Sequence, residues 1–375
     1  MILRRVLHPV GQGAFFTEHF DNRDKECAWL NVVYDCGSKT CLQDGISTLV
    51  ESGIRSAFNF KEHIDFLAIS HFDDDHTNGL KALLDYALLD KKTHVVIPFK
   101  YPYLLMVMDK HYPSLARFVM EALNRGIHLI GVDDSLHEVG SFESIDIDSL
   151  DSSSTLSGRE IVTIKKDGKA IWFYYPFMMP GIESLQNIFV DRVKNNKDLE
   201  GVNLNAPEDV IDNLSKLRSI YQGIGHKKNG VTKINVNSLL MVSLPAKDVI
   251  IAAGFDYNGI RKVCEAACLY TGDSVLKGKE YDKVVPRVEK VLTCLSDSKL
   301  GLMQIPHHGS KNCYPKQISD KTNTFAQYAF VNYAPGFKPP VFDKTIRNDF
   351  QNNGKVLIEV IDCPSTRVEF TAVLK

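Results

Sequence analysis

The chain has 375 residues, 44% hydrophobic and 24% charged, an ordinary globular composition long enough for one large domain or two smaller ones and able to bury a full core without staples. Forty-four Lys and Arg face 46 Asp and Glu, so the net charge of −2 gives no global basic field for a polyanion, and any nucleic-acid role must rest on a local patch. Cys27, Cys36, Cys41, Cys264, Cys268, Cys294, Cys313 and Cys363 form no CxxC pair, and no run of about 18 apolar residues occurs, which predicts buried thiols, a reducing cytoplasm and no membrane span.

Met1 to Pro9 lacks the apolar core and small-residue cleavage site of a secretory signal. Residues 1–8 and 30–35 predict strands flanking the turn Val10-Gly11-Gln12-Gly13 as a β-hairpin, the second strand ending in Asp35-Cys36-Gly37-Ser38. Ile64 to Ser70 is a nearly continuous apolar run that predicts a buried strand, and Leu80, Leu83, Leu84 and Leu88 then carry helical spacing. Val95–Ile97 predicts a strand, 102–125 a helical stretch and Ile127–Val132 another buried strand, an alternation typical of layered α/β folds, whose ligand sites lie beyond strand C-termini.

Asp146 to Gly158, rich in Asp and Ser, predicts an exposed loop, followed by a hairpin of Ile161–Ile164 and Lys169–Tyr175 around Lys166-Asp167-Gly168. Strands are predicted again at Ser238–Leu244, Val249–Ala252, Gly301–Ile305, Ala329–Tyr333, Val356–Val360 and Arg367–Val373. Between Pro180 and Lys233 the strand pattern stops, and Glu183–Val193 and Ala206–Tyr221 have polar helical spacing. We read 1–375 as a single domain in which 178–232 is a helical insertion.

Chemistry concentrates in three segments. Ser70-His71-Phe72-Asp73-Asp74-Asp75-His76 crowds two imidazoles and three carboxylates directly after a buried strand, which is unfavourable without a counter-cation. His nitrogen and Asp oxygen ligate first-row metals, and positions 71, 73 and 75 of an extended turn would point one way, leaving Asp74 to solvent. Thr271-Gly272-Asp273 sets an Asp after a Gly where a backbone can approach closely, and Ile305-Pro306-His307-His308-Gly309-Ser310 presents adjacent imidazoles at a strand end.

In this order and spacing the three segments resemble the HxHxDH, aspartate and terminal-histidine motifs of the metallo-β-lactamase superfamily, and within it the hydrolase domain of the competence protein ComEC. Val10–Gly13, Tyr34–Gly37 and Asn235-Val236-Asn237-Ser238 add to that likeness, which covers most of the chain outside about 178–232. The resemblance implies a four-layer αββα sandwich. It implies that His71 and Asp73 help hold one metal and Asp75 and His76 the other, that Asp273 bridges them, and that one of His307 and His308 completes the second site.

The family's usual further His ligand is missing from Phe173–Pro176, an oxygen-rich departure that favours one or two zinc ions less exclusively and admits manganese. Pro9 and Ala14 stand where the ComEC group usually carries acidic residues. The implied activity is hydrolysis by a metal-activated hydroxide, with Asp75 or Asp273 orienting it and a phosphodiester or nucleic acid as substrate. Esters, lactones, thioesters or β-lactams are the alternative substrates, and a catalytically weakened regulatory or binding subunit is the alternative class. By analogy, a ComEC-like hydrolase without a membrane channel implies a separate effector protein, for instance in phage defence.

Asn235, Ser238 and Ser310 are candidates to orient ligands or substrate, and Lys227 and Lys228, beside His226 and Lys233, are candidates for an anion funnel. His8 and His19 flank the opening turn, whereas His63, His94, His111, His128 and His137 are read as structural.

Overall fold

The computed structural model describes residues 1–22, 28–59, 61–108, 112–133, 141–151, 155–178, 185–222 and 238–375. The strands open with β1 (Ile2–Leu7), β2 (Gly13–Asp21) and β3 (Ala28–Ser38), and a minor hairpin of β4 (Leu42–Gln43) and β5 (Ile46–Ser47) leads into α1 (Thr48–Ala57). Next come β6 (Phe66–Ala68), α2 (Asp74–Thr77), α3 (Leu80–Asp85), β7 (His94–Ile97), α4 (Pro113–Asn124), β8 (His128–Asp133), β9 (Glu143–Asp146), β10 (Thr155–Ser157), β11 (Glu160–Lys166) and β12 (Lys169–Met178). Helices α5 (Leu185–Lys194), α6 (Pro207–Asp212) and α7 (Leu214–Gln222) precede β13 (Leu239–Pro245), β14 (Ile250–Tyr257), β15 (Ile260–Val263) and β16 (Ala267–Tyr270). The chain closes with α8 (Lys279–Leu295), β17 (Leu300–Gln304), β18 (Ala326–Asn332), α9 (Lys344–Asn352), β19 (Leu357–Val360) and β20 (Val368–Leu374).

Two large sheets result. One is ten-stranded in the order β10-β8-β7-β6-β3-β2-β1-β20-β14-β15, and the other eight-stranded in the order β19-β18-β17-β16-β13-β12-β11-β9. The segment β3-β6-β7-β8 is parallel in the first sheet and β16-β17-β18-β19 in the second, so each sheet lines up several strand C-termini along one edge.

The layering follows from the strands' period of two. Val32 and Tyr34, Phe66 and Ala68, and Leu239 and Met241 face the core between the sheets, while Val33, Leu67 and Leu240 face outward. The outward face of the first sheet is covered by Val50 and Ile54 of α1, Leu83 of α3, and Leu115, Phe118 and Val119 of α4. On the second sheet Tyr281, Val284 and Val288 of α8, with Ile346 and Phe350 of α9, do the same. Three hydrophobic cores between four layers make the αββα sandwich. Helices α5–α7 belong to the outer layer of the first sheet, where Phe189, Val210, Leu217 and Tyr221 join its core beside the 3-10 segment Pro102–Met108.

Several expectations need correction. β1 and β3 do not pair as a hairpin, because β2 lies between them. All but the last residue of β2 is buried, so it shows no polar alternation in sequence. The stretch 146–158 is not wholly an exposed loop: β10 runs parallel to β8, and Leu156 enters the central core. Residues 102–125 split into the 3-10 segment and α4, and 206–221 breaks at Asn213 into α6 and α7.

The sheets are also joined by a buried polar network around Glu18 of β2. Arg5 Nε donates to Glu18 Oε1 at 2.7 Å, Tyr270 OH to the same oxygen at 2.8 Å, and Tyr174 OH to Oε2 at 2.7 Å. Ser243 Oγ donates to Oε2 at 2.8 Å and accepts from Trp172 Nε1, also at 2.8 Å. Arg5 further donates to Ala266 O and Ser243 Oγ. Removing one partner of such a pair strands the other charge in the core, so Glu18→Ala should destabilise the fold by about 3–5 kcal/mol. Urea unfolding followed by tryptophan fluorescence measures this, and a loss within about 0.5 kcal/mol would show that the network does not join the sheets. No helix among the described residues is long and apolar enough to cross a membrane.

Candidate metal centre

Asp35, at the C-terminal end of β3, has φ +56° and is fully buried. Its Oδ1 accepts Ser70 N at 2.7 Å, and its Oδ2 accepts Ser70 Oγ at 2.6 Å and His76 Nδ1 at 2.7 Å. Ser70 spends its one proton on Asp35, so its Oγ accepts from His71 Nδ1 at 2.9 Å. His308 Nδ1 donates to Asn332 O at 3.0 Å, and His307 Nδ1 lies 3.2 Å from Cys313 Sγ. Each imidazole is thus tethered through Nδ1 and presents Nε2 to one spot, the arrangement that orients metal-ligating histidines.

Asp273 occupies that spot. His76 Nε2 and His308 Nε2 lie 3.2 and 3.7 Å from its Oδ1, and His71 Nε2 and His307 Nε2 lie 3.6 and 3.5 Å from its Oδ2. One carboxylate therefore faces two pairs of imidazoles. Asp75 Oδ2 is 3.3 Å from His308 Nε2, and its Oδ1 accepts from Lys39 Nζ at 2.7 Å.

Backbone geometry enforces this convergence. Gly272 has φ +52°, and a Cβ there would stand 2.6 Å from Ser70 Cβ. The close approach expected of Gly272 is therefore to the end of β6. Gln304 Oε1 ties the same turn by accepting Thr271 N and Gly272 N, and Ser238 Oγ accepts Asp273 N at 3.2 Å. His307 and His308 adopt φ +50° and +52°, left-handed conformations that cost an L-residue roughly 1–2 kcal/mol each.

Donors and burial fit a divalent cation. His71, His76 and Asp273 form one group of ligand atoms within 4.8 Å of one another, and Asp75, His76 and His308 form a second, all buried. His71 Nε2, His76 Nε2, His308 Nε2 and Asp273 Oδ1 are buried without an aligned hydrogen-bond partner. Each such orphan costs about 1–3 kcal/mol unless something binds it.

Electrostatics agree. Burial would lower His76, but the Asp273 and Asp35 carboxylates outweigh it and hold the imidazole well above its usual range. Burial and the neighbouring His76 push His71 down to about 4. Burial would raise Asp273, yet His76, His308 and His71 keep it well below the usual carboxylate range, and His308 and His76 do the same for Asp75. The pocket already draws positive charge onto His76, and a metal ion would supply such charge without a proton.

The sequence-predicted residues come together unequally. His71, Asp75, His76, Asp273 and His308 form the two groups, with His76 in both. His307 stands on the rim with a side chain 30% exposed, and Asp73, 26% exposed and 4.0 Å from His71 Nε2, lies outside both groups. Asp75 and His76 sit in the helical turn α2 rather than an extended turn, and Asp74 points to solvent as expected. Ser238 supports Asp273, Ser310 O accepts Cys313 N at 3.0 Å, and Asn235, Lys227 and Lys228 lie outside the described residues, as do Cys27, His111 and His137. His8 and His19 both bond Thr17 Oγ1 and join neither group. Sequence reasoning gave no role to Asp35, Ser70, Lys39 or Gln304. Of these, only the buried Asp at a strand end, in Tyr34–Gly37, carried a signal.

No protein-family model matches the chain, and no curated protein matches it. Among solved structures it is similar to the metallo-beta-lactamase fold protein YhfI from Bacillus subtilis, with 9% identity, 96% of each chain covered and a TM-score of 0.39. At that level of likeness the architecture and the site rest on their own geometry.

Because Asp35 fixes both Ser70 and His76, Asp35→Ala should weaken divalent-metal affinity by roughly 10–100-fold while leaving the protein folded. Competition with a chromophoric chelator measures this, and unchanged zinc affinity would remove Asp35 from the site's support.

Proposed function

We propose that this protein is a metal-dependent hydrolase of the metallo-β-lactamase type that cleaves phosphodiesters, with nucleic acid as the natural substrate class. The observation that carries the reading is the convergence of four Nδ1-tethered imidazoles on Asp273, with three buried Nε2 atoms and Asp273 Oδ1 otherwise unpartnered. The substrate class is supported by the likeness of the 71–76, 271–273 and 305–310 segments to the ComEC hydrolase domain.

His71, His76 and Asp273 would hold one ion and Asp75, His76 and His308 a second, zinc or manganese by donor type. Ions bound there supply Lewis acidity, making water a better nucleophile and offsetting charge on the attacked centre. The chain's own part is positional. Asp35 and Ser70 lock the ring planes of His71 and His76, and Asn332 O locks that of His308. Asp75 or Asp273, kept ionised by the surrounding imidazoles, would orient the attacking water by accepting a hydrogen bond from it. His307, on the rim, is the partly exposed member of the four imidazoles.

Purified protein should carry about one to two equivalents of zinc or manganese. It should hydrolyse bis-p-nitrophenyl phosphate, single-stranded DNA or RNA in a chelator-sensitive way. Asp273→Ala and His76→Ala should each lower kcat/KM by about three orders of magnitude or more without loss of folded protein. Failure to bind any divalent ion sinks the reading. Metal-dependent turnover of esters, lactones or thioesters alone would move the substrate class, and metal without turnover would leave a binding or regulatory subunit.

A further inference from the structure

Lys39 lies one residue beyond the end of β3, and its ammonium is the group that meets Asp75 Oδ1 at 2.7 Å. Its backbone is fixed from both sides. Lys39 N donates to Gln12 O at 2.7 Å, Ser38 N donates to Asn78 Oδ1 at 3.0 Å, and Ser38 Oγ donates to Val10 O and accepts Thr40 N. Gly13, where a Cβ would meet Gly37 O at 2.2 Å and Asp75 O at 2.8 Å, lets the opening turn close on this corner. Lys39 is thus built into the wall of the metal centre.

Its exposure gives it a second task. The Lys39 side chain is 39% exposed and that of Asp75 only 6%, so the ammonium stands at the mouth, between the buried ligands and solvent. An ammonium has three donors, and among the described residues Lys39 Nζ meets one acceptor, Asp75 Oδ1. The Asp75 oxygen that faces His308 is the other one, Oδ2, so the Lys39 contact need not be broken when that oxygen takes a ligand.

Charge points the same way. Lys39 sets an ammonium at the entrance, which matches a monoanion better than a neutral ester.

Resting on the metallo-hydrolase reading, we propose that Lys39 is a substrate-positioning residue: anchored on Asp75, it binds a non-bridging oxygen of a monoanionic phosphodiester at the mouth of the metal centre and selects that substrate against uncharged esters.

The test uses metal-loaded full-length protein and a ligand that does not turn over. Phosphorus NMR titration follows dimethyl phosphate, a monoanionic diester, against its neutral counterpart trimethyl phosphate. Lys39→Met should weaken dimethyl phosphate binding by roughly tenfold, the loss expected for one charge-assisted hydrogen bond, and leave trimethyl phosphate unchanged. Lys39→Arg should retain most of the affinity. In turnover of bis-p-nitrophenyl phosphate the Met variant should show its loss chiefly in KM, with bound metal per chain the same as in the parent.

Equal dimethyl phosphate affinity in parent and Met variant would overturn the proposal, as would no binding by the parent. So would a Met variant that loses metal, because Lys39 would then serve only to hold Asp75. Failure of the hydrolase reading is seen separately, as absent turnover in a parent protein that still binds dimethyl phosphate through Lys39.

Discussion

Carboxylates cannot be crowded into a buried pocket unless cations are placed among them. Asp35, Asp75 and Asp273 are all buried within one cluster, with Asp73 at its edge, and the chain's answer is the His76 imidazole, held well above its usual range, the Lys39 ammonium and three further imidazole nitrogens turned inward. Everything local follows from that constraint. The imidazoles must present nitrogen inward, so their other nitrogens are tethered, and the tethers of the three buried ones, His71, His76 and His308, come from strand ends and from Ser70 and Asp35 rather than from free loops. Opposed sheets supply such ends in number because the parallel strands of each finish along a common edge.

The cost of this geometry is carried by the backbone. Asp35, His307 and His308 sit at positive φ, and Gly13 and Gly272 occupy places where a side chain would strike the opposite wall. Such strain persists only where surrounding contacts over-determine the conformation. Those contacts are present: His307 N is bound to Gly272 O, Asp343 N to Gly309 O, and the turn before Asp273 to Gln304. Rigidity at this corner is therefore a product of packing between the two sheets, and the helices outside them hold the sheets in place.

Much of this was legible in sequence. Continuous apolar runs such as Ile64–Ser70 predict strands buried on both faces, and the density of His and Asp after one of them marks the site. The unread parts have particular causes. β2 escaped notice because Phe15, Phe16, Thr17, Glu18, His19 and Phe20 are all buried, so a strand with polar residues on its inner face shows no alternation. In α8 the spacing of Tyr281, Val284, Val288 and Val291 is helical, but Pro286 lies in its midst and normally ends a helix. Asp35 and Lys39 act across 41 and 36 residues of sequence, on His76 and Asp75, and no local pattern can reveal a contact that the pairing of β3 with β6 creates.

The molecule contains two buried clusters of charge, and the contrast between them says what each is for. Around Glu18 both carboxylate oxygens are bonded, to Arg5 and Tyr270 on one side and to Ser243 and Tyr174 on the other, and Arg5 finds two further acceptors. That network is complete within the protein, as a structural ion pair must be to offset its desolvation. Around Asp273 the charges approach without aligned hydrogen bonds, and the nitrogens and oxygen closest to one another are the ones left unpartnered. A fold able to satisfy Glu18 in full has no need to leave Asp273 half satisfied. The difference marks the first cluster as a bolt between sheets and the second as a site whose donors are free to hold a metal ion.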